Sequence, residues 1–301
     1  MKILNFGSLN IDHVYEMEHF VRPGETLGSD RLAMLCGGKG LNQSIALARA
    51  GAAVWHAGKI GADGLMLKNR LDENGVDTSC LMTADCPTGH AIIQVDRHGQ
   101  NCIILFGGAN RQITEADVDS VLAGFSAGDI VLLQNEISNV GYIIKKAHEA
   151  GMLVALNPSP IDPGLAAMPE LRLVKWFIMN EIEGAEITGK TEPQQIVAEM
   201  HSRFPGCEVV LTLGKRGALY SNGESCVKHG IYDVKPVDTT AAGDTFTGYF
   251  LAAISSGQSP ERAMELASRA SSIAVGIKGA ADSIPLLKDV LSADIKLVAI
   301  D

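Results

Sequence analysis

IVLLQ at 130–134, MLVALN at 152–157, WFIMN at 176–180 and EVVLTLG at 208–214 are four short apolar runs with helical stretches between them. A strand that is apolar at successive positions buries both of its faces. Such strands, alternating with helices, mark a parallel sheet covered by helices on both sides. The same rhythm extends toward the N-terminus. Leu41–Ala50 shows the helical spacing of Leu41, Ile45 and Ala48 and closes at Gly51, AVWHAG at 53–58 reads as a strand, and Leu65–Asn74 reads as a helix that closes at Gly75. Two long helices, about 243–256 and 260–275, end the chain. The reading is an α/β fold.

Two segments depart from that rhythm. Thr88–Val95 and Asn101–Phe106 form a hairpin around the polar turn DRHGQ. Residues 11–34 or so are also extended, with no helix after the first strand. Together they are expected to form a small sheet that projects from the main body as a lid.

Composition narrows the function classes. The 301 residues are 46% hydrophobic and 20% charged, an ordinary globular balance for one large α/β core. A formal net charge of −10 repels a nucleic-acid backbone. A small phosphate-bearing ligand remains compatible, because it responds to a local field. The six cysteines form no CxxC pair and the eight histidines show no metal-ligand spacing, so neither zinc nor a disulfide framework is indicated. MKILNFGSLNID lacks the apolar core of a signal peptide, and no run approaches the ~20 apolar residues of a membrane span. The expectation is a cytoplasmic protein without nucleic-acid or membrane partners.

The strongest chemical signal is DTTAAGDTFTGYFLAAI at 238–254. The small residues Ala241, Ala242 and Gly243 lead into a helix, where free amides and the helix dipole bind an anion. Asp244 then falls in the first turn, either beside that anion or simply complementing the dipole. CGGKGLNQS at 36–44 is neither a Walker A loop nor a dinucleotide fingerprint. It sets Lys39 and Asn42 on a glycine hinge suited to a hydroxyl-rich ligand, or it is only a turn opening a helix. GSLNID at 7–12 puts Asn10 and Asp12 at a strand end, where they are placed to hold vicinal hydroxyls or to cap a turn. In NEIE at 180–183, Asn180 and Glu183 fit either sparse magnesium ligation or a capping box. TLGKRG at 212–217 is another strand-to-turn glycine pair, placed either to lie against a nucleotide or merely to make the turn.

In this order GSLNID, PGET (23–26), GGKGLN, LNPSP (156–160), NEIE, TLGKRG and DTTAAGDTF resemble the ribokinase family, the PfkB carbohydrate kinases, over nearly the whole chain. The resemblance implies a single kinase domain over 1–301. Its fold would be a three-layer α/β sandwich with a mostly parallel central sheet and a small β-sheet lid made from about 11–34 and 88–106. It implies ATP-dependent phosphorylation of ribose or a close furanose, with a nucleoside or another sugar as the alternative substrate. It gives Asn10, Asp12, Gly38, Lys39, Asn42 and Glu136 to the sugar, and Asn180, Thr212, Gly214, Gly217 and Gly243 to ATP. Glu183 would stand near Mg²⁺, Ala241, Ala242 and Gly243 would form an anion hole, and Asp244 would be the base. Asp238, with main-chain oxygens of Thr240, Ala274, Ile277 and Gly279 and the Ser283 side chain, would hold K⁺. Ser268 stands where bacterial members tend to carry His or Asn near the adenine. A homodimer joined through the lid is expected.

Overall fold

The period-2 alternation of the strands decides which side chains enter each half of the core. The computed structural model describes residues 1–298, so the last three positions of the expected 1–301 domain lie outside the described residues. One sheet contains β1 (Ile3–Phe6), β4 (Val54–Ile60), β5 (Leu81–Thr83), β8 (Ile130–Gln134), β9 (Leu153–Asn157), β10 (Trp176–Asn180), β11 (Glu208–Thr212), β12 (Ala218–Ser221) and β13 (Cys226–His229). Their spatial order is β13-β12-β11-β10-β9-β8-β1-β4-β5. Every neighbouring pair from β5 to β11 is parallel, and β12 alone runs against the rest, antiparallel to both β11 and β13. The apolar run at 208–214 yields its last two residues to a turn, because Gly214 takes φ 57 and ends the strand.

Alternate strand residues feed two helical layers. On one face Ile3, Val54, Leu132, Ile178 and Val210 pack with α1 (Lys39–Arg49), α2 (Leu65–Glu73), α8 (Ala242–Ser255), α9 (Pro260–Val275) and α10 (Leu287–Ser292). On the other face Leu4, Val131, Leu133, Phe177 and Val209 meet α3 (Glu115–Leu122), α4 (Val140–Glu149), α5 (Pro163–Ala166), α6 (Glu181–Thr188) and α7 (Pro193–Arg203). The result is a three-layer α/β sandwich.

A second sheet has the order β3-β2-β6-β7, built from β2 (Asn10–Glu16), β3 (Arg31–Gly37), β6 (Gly89–Val95) and β7 (Asn101–Phe106). β2 pairs with β6 in parallel, and the flanking pairs are antiparallel. β2 leaves β1 after only Gly7–Leu9, and β3 runs through Gly37 and Gly38 straight into α1. This sheet is therefore tethered at the C-terminal edge of the main one. Ile103, Ile104, Leu105 and Phe106 are 50–59% exposed, as are Leu32 and Met34 at 50% and 52%. No helix among the described residues is long and apolar enough to cross a membrane.

α1 and α8 cross closely because of one glycine. A Cβ at Gly248 would overlap the Ala46 Cβ and come 2.8 Å from the Leu47 amide nitrogen. Gly248→Ala gains about 1 kcal/mol of helix propensity but overpacks the crossing, which typically costs about 1–3 kcal/mol. The variant is expected to melt below the wild type, and thermal denaturation checks the sign.

Candidate active site

β1 lies between β4 and β8, so the chain leaves their C-terminal ends in opposite directions. Open α/β sheets bind ligands in the crevice that such a switch creates. A cleft of about 230 Å³ stands along these strand ends, lined among others by Lys39, Asn157, Asn180, Glu183, Thr212, Ala241, Gly243 and Asp244. Seven of the site residues named from the sequence thus meet there, those at the start of α8 included, although they span more than 200 positions of the chain.

The start of α8 is built to receive a charge. Ala241 has φ 57, a left-handed conformation that costs a non-glycine residue energy. It turns the chain so that the Gly243 and Asp244 amides make no hydrogen bond among the described residues. A Cβ on Gly243 would meet nothing within 4 Å, so packing within the chain does not demand glycine at this position. The open space before it admits a ligand to the backbone. Asp244 is buried, with Oδ2 accepting from Asn42 Nδ2 at 3.0 Å and Oδ1 accepting from Gln43 Nε2 at 2.9 Å. Buried carboxylates need such donors.

Lys39 opens α1 on the facing side. Burial opposes its charge, but Asp244, Glu136 and Glu183 outweigh burial and raise the ammonium pKa. Its backbone N–H donates to Glu136 Oε2 at 3.2 Å, and the Ser8 hydroxyl donates to the same oxygen. Glu136 and the hinge at Gly38, where φ is 96, are thereby brought to the end of β1.

Asn10 and Asp12 sit at alternate positions of β2 and therefore share one face of the second sheet. Asn10 is buried, and its Oδ1 accepts from Asn110 Nδ2 at 2.8 Å. That contact turns the Asn10 amide nitrogen outward as a donor. The Asp12 carboxylate accepts no hydrogen bond among the described residues, although its backbone lies between β3 and β6. Burial first, and the nearby Glu136 charge second, push its pKa up to about 7.

The two readings of Asn180 and Glu183 coexist. Asn180 Oδ1 accepts from the Glu183 N–H at 2.9 Å and Glu183 Oε2 accepts from the Asn180 N–H at 3.0 Å, a complete capping box. Glu183 keeps a second carboxylate oxygen and lines the cleft. Such a sparse oxygen set fits Mg²⁺ held through its waters. Gly214 and Gly217 form the turn between β11 and β12 that Thr212 enters.

The Asp238 group lies just outside the cleft. Asp238 Oδ1 accepts from the Thr240 N–H at 2.9 Å, and Oδ2 accepts from the Gly279 N–H at 3.0 Å. Ala274 and Ile277 flank the C-terminal end of α9, where carbonyls and the dipole favour a cation. Ser283 is fully buried and donates to the Ala280 carbonyl at 2.8 Å. An all-oxygen set of this kind suits a hard monovalent ion. Ser268 is buried within α9.

Several residues of the site were not singled out by sequence reasoning. Gln43, Gln134, Asn157, Asn5 and Asn110 hold the named residues in place. A signal was present: Gln134 and Asn157 are the polar last residues of otherwise apolar strands.

The description "pfkB family carbohydrate kinase" matches residues 1–287. The chain is 37% identical to a ribokinase of Haemophilus influenzae over 295 residues, covering 95% of both chains. It is 35% identical to a ribokinase of Staphylococcus aureus, covering 96% of this chain and 98% of the other. A ribokinase of Arabidopsis thaliana complexed with ribose and ATP superimposes with a TM-score of 0.85 at 32% identity, covering 96% of this chain and 97% of that one.

The raised pKa of Asp12 has a consequence for stability. Between its ordinary value of 3.8 and about 7, the folded chain holds a proton that the unfolded chain has released. Stability therefore falls as pH rises through that window. Asp12→Asn removes the dependence, so its melting temperature should exceed that of the wild type above pH 7 and converge with it near pH 4. Parallel pH-resolved melts check this.

Proposed function

The chain belongs to the pfkB family of carbohydrate kinases, and from that premise we propose that it transfers the γ-phosphoryl group of ATP to the 5-hydroxyl of ribose or a close furanose, giving the sugar 5-phosphate and ADP. The observation that carries this reading is Asp244, held between two amide donors in the first turn of α8 beside the open Gly243 amide. The chain's 37% and 35% identity to two ribokinases supports the same reading.

Asp244 takes the proton of the attacking hydroxyl as its oxygen reaches the γ-phosphorus. Phosphoryl transfer passes through a loose transition state, so positioning and charge stabilisation dominate. The free amides at Gly243 and Asp244, with Ala242 shaping the turn through its N–H to the Thr239 carbonyl, join the Lys39 ammonium in meeting charge on the moving group. Asn10, Asp12, Gly38, Lys39, Asn42 and Glu136 surround the sugar. Asn10 presents its amide nitrogen to a hydroxyl, and Asp12 presents an acceptor whose protonation is balanced near neutral pH. Asn180, Thr212, Gly214 and Gly217 face the nucleotide, and Glu183 orients the waters of Mg²⁺. When bound, Mg²⁺ supplies charge that offsets the phosphate oxygens. Asp238, Thr240, Ala274, Ile277, Gly279 and Ser283 would hold K⁺, whose charge would stiffen the approach to the anion hole.

The second sheet acts as the lid that excludes water. Its exposed Leu32, Met34, Ile104 and Phe106 exceed what a thin flap buries alone, which supports a homodimer joined there. Light scattering that shows a monomer at micromolar protein would count against it. Six free cysteines fit a reducing cytoplasm as the site of action.

A panel of pentoses, hexoses and nucleosides tests the substrate. Ribose should give the highest kcat/KM, because a site lined by hydroxyl partners rejects an analogue that leaves them unpaired. Adenosine or inosine ahead of ribose by tenfold or more would transfer the assignment to a nucleoside kinase. Asp244→Asn should retain ATP binding and lose roughly 10²–10⁴ in turnover, the range of a general base. Replacing K⁺ by Na⁺ or Tris should lower wild-type activity and leave Asp238→Ala indifferent; equal wild-type rates in all three salts would remove the cation.

A further inference from the structure

The base is the visible end of a buried chain of side-chain amides whose hydrogen-bond directions are fixed from two sides. Asn5 Nδ2 donates to the Gly40 carbonyl at 2.8 Å. A carbonyl can only accept, so Asn5 Oδ1 must face the other way, where it accepts from Gln134 Nε2 at 3.0 Å. Gln134 Nε2 also donates to Gln43 Oε1 at 2.6 Å. The Gln43 nitrogen is thereby turned toward Asp244. From the opposite side Asn157 Nδ2 donates to the Ile178 carbonyl at 2.9 Å, which leaves Asn157 Oδ1 to accept from Gln43 Nε2 at 3.0 Å. Two main-chain carbonyls, on α1 and β10, thus independently demand the same amide orientation. Both N–H groups of Gln43 are spent, one on Asn157 and one on Asp244.

We propose that Gln43 and Gln134 are positioning residues for the phosphoryl-transfer base: they fix which way the Gln43 amide faces, and so hold the Asp244 carboxylate in the rotamer that meets the sugar hydroxyl. The inference rests on Asp244 being the base. Gln43 and Gln134 are fully buried and neither is needed to fill an apolar core. Gln134 also requires Gly7, since a Cβ there would overlap Gln134 Oε1. The charged groups facing Asp244 across the cleft are Lys39 of α1 and Glu183 of α6. Neither one donates to or accepts from the carboxylate, so the two amides alone set its rotation.

Steady-state kinetics across pH on the full chain test this, with the wild type, Gln43→Glu, Gln134→Met, Asp244→Asn and the double variant Gln134→Met/Asp244→Asn. Gln43→Glu keeps the shape but sets a carboxylate against Asp244. A misplaced catalytic group costs up to about 100-fold, so kcat should fall about 10- to 100-fold while both KM values stay within about threefold. The acid limb of its pH–rate profile should move upward. Gln134→Met leaves both contacts of Asp244 intact and should lower kcat by about tenfold. In the Asp244→Asn background the same change should cost nothing further, because no base remains to be oriented. A merely structural role would lower melting temperature alike in both backgrounds and leave kcat unmoved. If Gln43→Glu does not fold, Gln134→Met decides. Wild-type kcat in Gln134→Met beside an inactive Asp244→Asn overturns this inference alone. A fully active Asp244→Asn overturns the base and this inference together.

Discussion

The Asp244 carboxylate, held at 3.0 Å by Asn42 and at 2.9 Å by Gln43, ties the start of α8 to the first turns of α1. A buried carboxylate without donors would be displaced or protonated, so the two helices must approach closely enough for both amides to reach it. Gly248 permits that approach by leaving no side chain between α8 and the Ala46–Leu47 turn. The start of α8 is thereby registered against Lys39 at the start of α1.

The sheet supplies the geometry on which this contact relies. β1 stands where the strand order reverses, and its end carries three features at once: the Ser8 contact to Glu136, the departure of β2, and the close approach of Gly40 in α1. The second sheet is thus a continuation of the same strand end. That explains why Asn10 and Asp12 start out from the end of β1, and why Asp12 feels the Glu136 charge.

A chain with a net charge of −10 still offers an anion a favourable place. The field is local: free amides at a helix start and one ammonium held charged by three carboxylates. Glu136, one of the carboxylates that keep Lys39 protonated, also adds to the burial that raises the pKa of Asp12, so these acidic groups are coupled rather than independent.

The four apolar runs, the helices at 41–50, 65–74, 243–256 and 260–275, and the hairpin at 88–106 were all legible in the sequence, because periodicity is carried by covalent neighbours. So was Asp244 in a first helical turn, since residue type and helix start lie within one motif. Asn180 and Glu183 show the limit of such reading. Their spacing allowed a capping box or a metal site, and only the fold shows the box complete with one Glu183 oxygen left toward the cleft. Gln134 and Asn157 stood out only as polar ends of apolar strands, and nothing in their spacing, or in that of Asn5, relates them to Asp244. They converge only when the strand order places the ends of β1, β8 and β9 side by side. Sequence by itself determined the elements and the chemistry each carries. The tertiary structure decided which groups share a proton, a charge or an amide, because those contacts depend on distances of about 3 Å between residues as much as 200 positions apart.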